Sequence, residues 1–258
     1  ISDNASTDTT PKICQEYVLR DKRIRYIRQN KNMGALWNFN FVLKQSNKEY
    51  FIWVSSDDKL HPEFLQKNID ILEKNKNVVC SIGDVIYSDV INYEFKLNND
   101  TKKIFRQRYV KSTYGTYESK VRTYLKFFQA SMIYGLYRRD KLQKSITINK
   151  IFLAFDLSII LNVLKYGDFH VIDENLLHRY NKGSHSIIGT MRKYDISLIN
   201  IIFLEFPFTF WCLKNLGFKN FIRNFDVFLK INIRGGLIIL LETIRISKRI
   251  VFRQDMFW

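Results

Sequence analysis

A chain of 258 residues with 46% apolar side chains can bury the core of one α/β domain and carry a modest extension. Only 3 Pro and 10 Gly, with no low-complexity tract and no repeat of about 20–50 residues, exclude a disordered chain, a solenoid or a propeller. The formal charge of +16 is unevenly placed: residues 101–150 hold thirteen Lys/Arg against Glu118 and Asp140, whereas residues 51–100 hold five Lys against nine acids. An acidic stretch beside a basic one points to a metal site near an anion-binding face, or to a plain solvated basic surface.

Position 1 is Ile rather than Met, and Ile1–Asp3 reads as the end of a buried strand, so a segment upstream is expected. Small polar residues follow to Asp8, and Pro11 stands where a first helical turn tolerates proline, opening a helix to Arg20. Arg23–Arg28 has the β-branched and aromatic content of a short strand. Asn30–Gly34 is a turn before a helix over Ala35–Gln45, and the apolar run Tyr50–Val54 reads as a strand covered on both faces. That run enters Ser55-Ser56-Asp57-Asp58 directly, and Pro62 then opens a helix to about Lys74, with a further strand inside Val78–Val90. Alternating strands and helices are the pattern of a doubly wound α/β sheet.

Beyond residue 91 come a basic, aromatic stretch to Tyr114, a helix over Tyr117–Phe128, a strand over Met132–Tyr137, a helix around Asp156–Tyr166 and a strand at Phe169–Ile172. After about residue 193 the composition turns to long apolar helices with scattered Lys and Arg. Ile196–Leu213 is interrupted by Glu205 and Pro207 and is short for a membrane span. The remainder suits either helices lying on an anionic membrane surface or a helical cap packed on the domain before it. The three cysteines, Cys14, Cys80 and Cys212, are odd in number and far apart, which fits reduced thiols in a cytoplasmic protein better than a disulfide or zinc framework.

Ligands of open α/β sheets bind beyond the carboxyl ends of the strands, which directs attention to Asp3–Asp8 and to Ser55–Asp58. Adjacent carboxylates at a strand end can hold a hard divalent cation that bridges the phosphates of a nucleotide diphosphate, although most such pairs are solvated turns. Between these segments lies Asn30-Lys31-Asn32-Met33-Gly34, with Asn38 and Asn40 on the helix that follows.

An acidic, Ser/Thr-rich loop after a strand, an Asn-x-Gly turn with a downstream Asn, and an Asp-rich element followed by Pro62 occur in that order. Together they resemble the inverting family 2 glycosyltransferases of the GT-A fold, over Ile1 to about Ser186. The resemblance implies a Rossmann-like, mixed and mostly parallel sheet flanked by helices, without the family's first strand and helix. It implies a nucleotide-sugar-binding and catalytic domain over residues 1–190, and an amphipathic helical extension over 191–258.

Carried over to this chain, the family pattern makes Asp3 a contact to the nucleotide base and sets Asn32, Gly34, Asn40, Ser56 and Asp58 along the donor. Asp57 becomes the ligand of Mg2+ or Mn2+, because Ser55 stands where the family's first metal-motif Asp would be. Asp156, preceded by Phe155 where the family often has Glu, becomes the base that activates the acceptor hydroxyl; as a residue, it equally suits a helix cap. Leu177–Tyr180 and His185-Ser186 resemble the strand and loop that close the family's site. The implied activity is sugar transfer from a nucleotide diphosphate sugar to a saccharide or lipid-linked acceptor, in surface polysaccharide or lipopolysaccharide synthesis. A nucleotidyltransferase of related fold and a non-catalytic basic module for nucleic acid or membrane stay open as alternatives. Nucleic acid is the less expected partner, since the basic run carries no recognised nucleic-acid-binding signature.

Overall fold

The computed structural model describes residues 1–88, 105–108, 111–127, 130–147, 152, 154–180 and 205–254. The chain forms two compact units, Ile1–Phe51 and Ile52–Trp258. The boundary expected near residue 190, together with His185 and Ser186, lies outside the described residues.

In the first unit, β1 (Ser2–Asp3) pairs in parallel with β2 (Ile27–Arg28), joined through α1 (Thr10–Arg20). Pro11 stands in the first turn of α1, as its fixed φ and missing N–H favour. The strand expected over Arg23–Arg28 shrinks to its last two residues. Asp21 turns the chain instead, its carboxylate accepting from the Arg23 amide at 2.9 Å and its carbonyl from the Ile24 amide at 3.0 Å. Next come α2 (Ala35–Gln45), over the expected residues, and β3 (Tyr50–Phe51). Gly34 caps α2 at φ +85°, a conformation that a residue with a Cβ rarely adopts.

The second unit runs β4 (Lys59–Leu60), α3 (Phe64–Lys74), β5 (Val78–Ser88), β6 (Phe105–Arg108), α4 (Tyr117–Phe127), a 3-10 helix (Ala130–Tyr134), β7 (Leu136–Arg138), α5 (Arg139–Ser145), α6 (Phe155–Val163) and β8 (Asp168–Tyr180). Three helices close it: α7 (Phe206–Asn215), α8 (Phe218–Arg223) and α9 (Phe225–Gln254). β5 and β8 pair in parallel from Val78↔Asp168 to Ser88↔Tyr180, the longest ladder among the described residues. The sheet is mixed, since β6 and β7 run antiparallel to β5, and β4 antiparallel to β8. This is the mixed, helix-flanked α/β sheet expected of the sequence, although among the pairings just given only β5–β8 is parallel.

Burial explains the order. Val78–Ile86 is buried throughout, α3 sets Phe64 and Leu72 into the core, and every residue of α6 from Leu157 to Val163 is buried. A helix that is apolar all round belongs inside. Tyr137 packs edge-on against both Trp53 and Phe169, at 6.2 and 6.1 Å between ring centroids.

Three further sequence expectations need correction. The strand expected over Tyr50–Val54 is confined to Tyr50–Phe51, and Val54 is exposed rather than covered. Met132–Tyr137 is not one strand: a 3-10 turn precedes β7, because the Met132 carbonyl accepts from the Gly135 amide at 3.0 Å and from the Tyr137 hydroxyl. β8 runs far past Ile172 to Tyr180, through the polar run Asp173-Glu174-Asn175. There the register jumps from Gly83↔Ile172 to Asp84↔Asn175, so Asp173 and Glu174 bulge out of the ladder. Gly83 makes room for the bulge: a Cβ there would lie 2.5 Å from the Leu176 Cβ and 2.8 Å from the Glu174 carbonyl oxygen. Gly83→Ala therefore forces the ladder apart, and an overpacking loss of about 2 kcal/mol is expected as a lower urea midpoint.

Candidate active site

In the first unit, Asp3 ends β1 and is buried. Its carboxylate accepts from the Ser6 amide at 2.8 Å and the Tyr26 hydroxyl at 2.7 Å, with the Arg28 Nε at 3.4 Å. Burial works to raise its pKa, yet these donors together hold it below the usual carboxylate range. Asn4 clasps the Asn-x-Gly turn, its amide group donating to Asn32 Oδ1 at 2.9 Å while its Oδ1 accepts from the Met33 amide at 2.8 Å. Asn32 Oδ1 also accepts from the Gly34 amide at 2.9 Å. Asn38 accepts from the Ser2 hydroxyl at 2.5 Å. On the same helix, Asn40 keeps a buried Oδ1 without a hydrogen-bond donor. Asp3, Asn32 and Gly34 thus share one loop cluster, and Asn40 lies on the helix that leaves it.

In the second unit, Ser55–Asp58 forms a turn closed by the Asp58 amide donating to the Ser55 carbonyl at 3.2 Å. Ser56 and Asp57 are exposed, whereas the Asp58 side chain is buried and paired with the Arg179 Nε at 3.2 Å. Pairing of β4 with β8 creates this contact. Lys59 lies opposite His178, so the residue before Lys59 meets the residue after His178. Burial raises the Asp58 pKa, Arg179 draws it back and the neighbouring Asp57 pushes it up. The Arg179 guanidinium also stacks 4.1 Å from the Tyr134 ring centroid and donates to the Tyr134 hydroxyl at 3.2 Å; Tyr134 bonds Ser55 in turn.

Asp156 lies in the first turn of α6, and Ala154, not Asp156, holds the cap position. Ala154 takes φ +63°, a left-handed conformation costing a non-glycine residue about 1 kcal/mol or more. The Asp156 Oδ1 accepts from the Leu157 amide at 3.0 Å. Burial raises its pKa, against the Leu157 amide, its own amide and the charge of Arg179. Asp156 in turn pushes up Glu205, at the start of α7, to about 7, after burial as the larger cause. Asp58, Arg179, Tyr134, Asp156 and Glu205 thus form one electrostatic cluster.

Tyr134 and Glu205 carry no motif signal, and Glu205 reads in the sequence as a flaw in an apolar stretch. Arg179 falls within Leu177–Tyr180, the stretch that resembles the strand closing the family's site, but its carboxylate partner emerges only from the pairing of β8 with β4. Among the described residues, no three His, Cys, Asp or Glu side chains are grouped to hold a metal ion. Asp58 is already matched by Arg179. Exposed Asp57 fits the alternative, an ion that takes one carboxylate and completes its shell with substrate phosphates and water.

Arg179 stabilises Asp58 only while Asp58 is ionised. Arg179→Met, which keeps much of the stem over Tyr134, is expected to lower stability by about 2–3 kcal/mol at pH 7, discounted for the partial exposure of Arg179. The loss should shrink as the pH falls into the acid range, since a protonated Asp58 needs no cation, and urea unfolding at neutral and acid pH reads it.

The profile of the family described as Glycosyl transferase family 2 matches residues 1–145. An uncharacterized glycosyltransferase of Haemophilus influenzae is 26% identical over 102 residues, covering 40% of this chain and 40% of its own length. The putative teichuronic acid biosynthesis glycosyltransferase TuaG of Bacillus subtilis is 33% identical over 88 residues, 34% of each chain. The matched region thus spans well under half of these relatives. Among solved structures, residues 1–349 of S. aureus TarS in complex with UDP-GlcNAc superpose with a TM-score of 0.53 at 16% identity, covering 71% of this chain and 49% of that one. With the profile matched over more than half of its length, the chain belongs to glycosyl transferase family 2.

Proposed function

We propose that this chain transfers a sugar from a nucleotide diphosphate sugar to a saccharide or lipid-linked acceptor during cell-surface polysaccharide synthesis, inverting the anomeric carbon in one displacement. The observation that carries this reading is the pairing of an exposed acid, Asp57, on the turn before β4 with a separately rooted, half-buried acid, Asp156, on α6. Single displacement needs its metal end and its base end on different parts of the chain. The relative from B. subtilis is named for teichuronic acid synthesis, and the S. aureus neighbour was solved with UDP-GlcNAc; donors and products of those classes are the ones proposed here.

In this reading Asp57 holds Mg2+ or Mn2+. When bound, the ion supplies positive charge to the leaving diphosphate. Asp3, Asn32, Gly34, Asn40 and Ser56 line the donor. Asp58 fixes Arg179, whose guanidinium adds positive charge on the same side. Asp156 accepts the proton of the acceptor hydroxyl, and its raised proton affinity suits that role at neutral pH. Asp156→Asn should lower turnover by ~10²–10⁴-fold with donor affinity nearly unchanged. Asp57→Asn should lose metal-dependent nucleotide affinity. Near-parental transfer in the first variant, or equal nucleotide affinity with and without chelator in the second and the parent, refutes the corresponding role.

We further propose that the protein works at the cytoplasmic face of a membrane, lying on it through α9. Phe225, Leu229, Ile233, Leu237, Leu241 and Ile244 recur every three or four residues and are exposed, with Lys230 and Arg234 exposed beside them. The opposite side of the helix is held down: Phe228 stacks on Phe221 at 5.0 Å and Asn232 donates to the Thr209 hydroxyl at 2.8 Å. Among the described residues, no helix is long and apolar enough to cross a membrane. An apolar stripe flanked by cations suits the boundary of an anionic bilayer. The protein should co-sediment with phosphatidylglycerol vesicles at low salt and much less with phosphatidylcholine, and Leu237→Asp should release it. Failure to bind phosphatidylglycerol vesicles, or binding unchanged by Leu237→Asp, overturns this part of the reading.

A further inference from the structure

The Ser55–Asp58 turn is exposed at its centre, at Ser56 and Asp57, and held at its two ends. Its last residue, Asp58, accepts through both carboxylate oxygens from the Arg179 Nε, at 3.2 and 3.4 Å. Its first residue, Ser55, bonds the Tyr134 hydroxyl through its side chain. The two holders are bonded to each other: the Arg179 Nη2 donates to the Tyr134 hydroxyl at 3.2 Å, and the guanidinium lies 4.1 Å from the Tyr134 ring centroid. The Asp58 amide, donating to the Ser55 carbonyl at 3.2 Å, closes this ring of contacts across the turn. Tyr134 has a firm footing of its own. It ends the 3-10 helix, in which Ser131, Met132 and Ile133 are buried and Ser131 bonds the Tyr87 hydroxyl of β5. The next residue, Gly135, lies so close to β5 that a Cβ there would collide with the Cys80 Sγ and stand 3.2 Å from the Ser81 carbonyl oxygen. The turn is thus moored to β5 through Tyr134 and to the end of β8 through Arg179.

We infer that Tyr134 is a positioning residue for the ion proposed at Asp57: with Arg179 it grips the turn at both ends and sets the Asp57 carboxylate in place before a ligand arrives. Ser55 and Asp58 are engaged with protein partners, which leaves exposed Asp57 as the carboxylate that the turn can offer. An ion held by one carboxylate completes its shell with phosphate oxygens and water, so its affinity depends on where that carboxylate stands. A turn free to move would have to be ordered at the expense of binding, and a turn already ordered avoids that cost. Tyr134 orders it twice, its ring restraining Arg179 and its hydroxyl restraining Ser55. Burial raises the pKa of that hydroxyl, so it stays neutral at pH 7 and serves as a hydrogen-bonding group rather than as an acid or base.

This inference rests on Asp57 as the metal ligand, and its test separates the two. Binding of Mn2+ to the full chain with saturating UDP is read from the paramagnetic resonance of free Mn2+, alongside UDP affinity in chelator and the urea midpoint. Tyr134→Phe keeps the ring over Arg179 and loses the hydroxyl. It should weaken Mn2+ binding by roughly 3- to 10-fold, the range expected for a lost hydrogen bond, with UDP affinity in chelator unchanged. Tyr134→Leu, which loses the ring as well, should weaken it further. Ser55→Ala should act in the same direction as Tyr134→Phe, and carries the test should Tyr134→Phe fold poorly. The double variant should lose less than the two single losses combined, since both break one ring of contacts. Mn2+ binding that needs Asp57 but is parental in Tyr134→Phe and Ser55→Ala overturns the inference, whether or not the urea midpoint falls, and so do losses that simply add. Mn2+ binding that is absent with UDP, or that Asp57→Asn leaves in place, refutes the metal reading itself, and the inference falls with it.

Discussion

The parallel ladder of β5 and β8 is the constraint on which the second unit depends. β5 is buried along nearly all of its length, so its amides and carbonyls must find partners inside the protein, and β8 supplies them on one edge while β6 and β7 supply them on the other. Because β8 is held in that register, its far end is fixed as well. The antiparallel pairing with β4 then brings Arg179 opposite the turn that carries Asp57 and Asp58. A shift of the ladder by one residue would move Arg179 to the other face of the sheet and leave Asp58 buried without a counter-charge. Gly83 is where this register is set, since it alone of the β5 residues lets the Asp173-Glu174 bulge close against the strand.

The elements built from local signals were legible in the sequence. α2 lies over the expected Ala35–Gln45, and α3 and α4 end within a residue or two of their expected bounds, because apolar spacing, Pro and Gly act over a few residues. The Asn-x-Gly turn was legible for the same reason, and the structure clasps it to the loop after β1 through Asn4. What escaped was set by partners distant in the chain. Asp173-Glu174-Asn175 reads as a loop because polar residues end strands, yet here the bulge expels Asp173 and Glu174 toward solvent and the strand resumes with Leu176 and Leu177 buried. Arg179 lay within the Leu177–Tyr180 stretch that resembles the strand closing the family's site, yet only the long-range pairing with β4 gives it a carboxylate partner. Glu205 looked like an impurity in an apolar stretch, and its meaning comes from the packing of α7 on α6.

Several of these features lower stability. A left-handed Ala154, a buried Asp58, a half-buried Asp156 and an orphaned Glu205 oxygen are choices that an apolar core would not make. They fall in one region of the second unit, around the end of β8 and the first turns of α6 and α7. Elsewhere in the unit aromatic rings pack edge to face about Tyr137, although buried polar atoms without a hydrogen bond also occur at Asn68, Ser81 and Thr113. The gathering of several acids around Arg179 is what marks this patch as the place where function outweighs stability.

Charge balance in the patch indicates what it is built to receive. Asp57, Asp58, Asp156 and Glu205 are four acids, and Arg179 is the cation that acts on Asp58 and Asp156. If all four ionised, the excess of negative charge would repel a diphosphate. Two features reduce it: burial, and after it Asp156, raise the proton affinity of Glu205, and Arg179 pairs with Asp58. That leaves Asp57 and Asp156. Asp57 is exposed, so its charge stays cheap in water until a ligand arrives, and a divalent cation is the partner that turns it from repelling phosphate to binding it. Asp156 is half-buried on α6, and burial raises its proton affinity rather than offering it a cation. Its charge is removed only by a proton, and the acceptor hydroxyl is the proton donor that the proposed reaction delivers. On this reading the difference in burial between Asp57 and Asp156 is what divides the labour between holding the donor and driving the transfer.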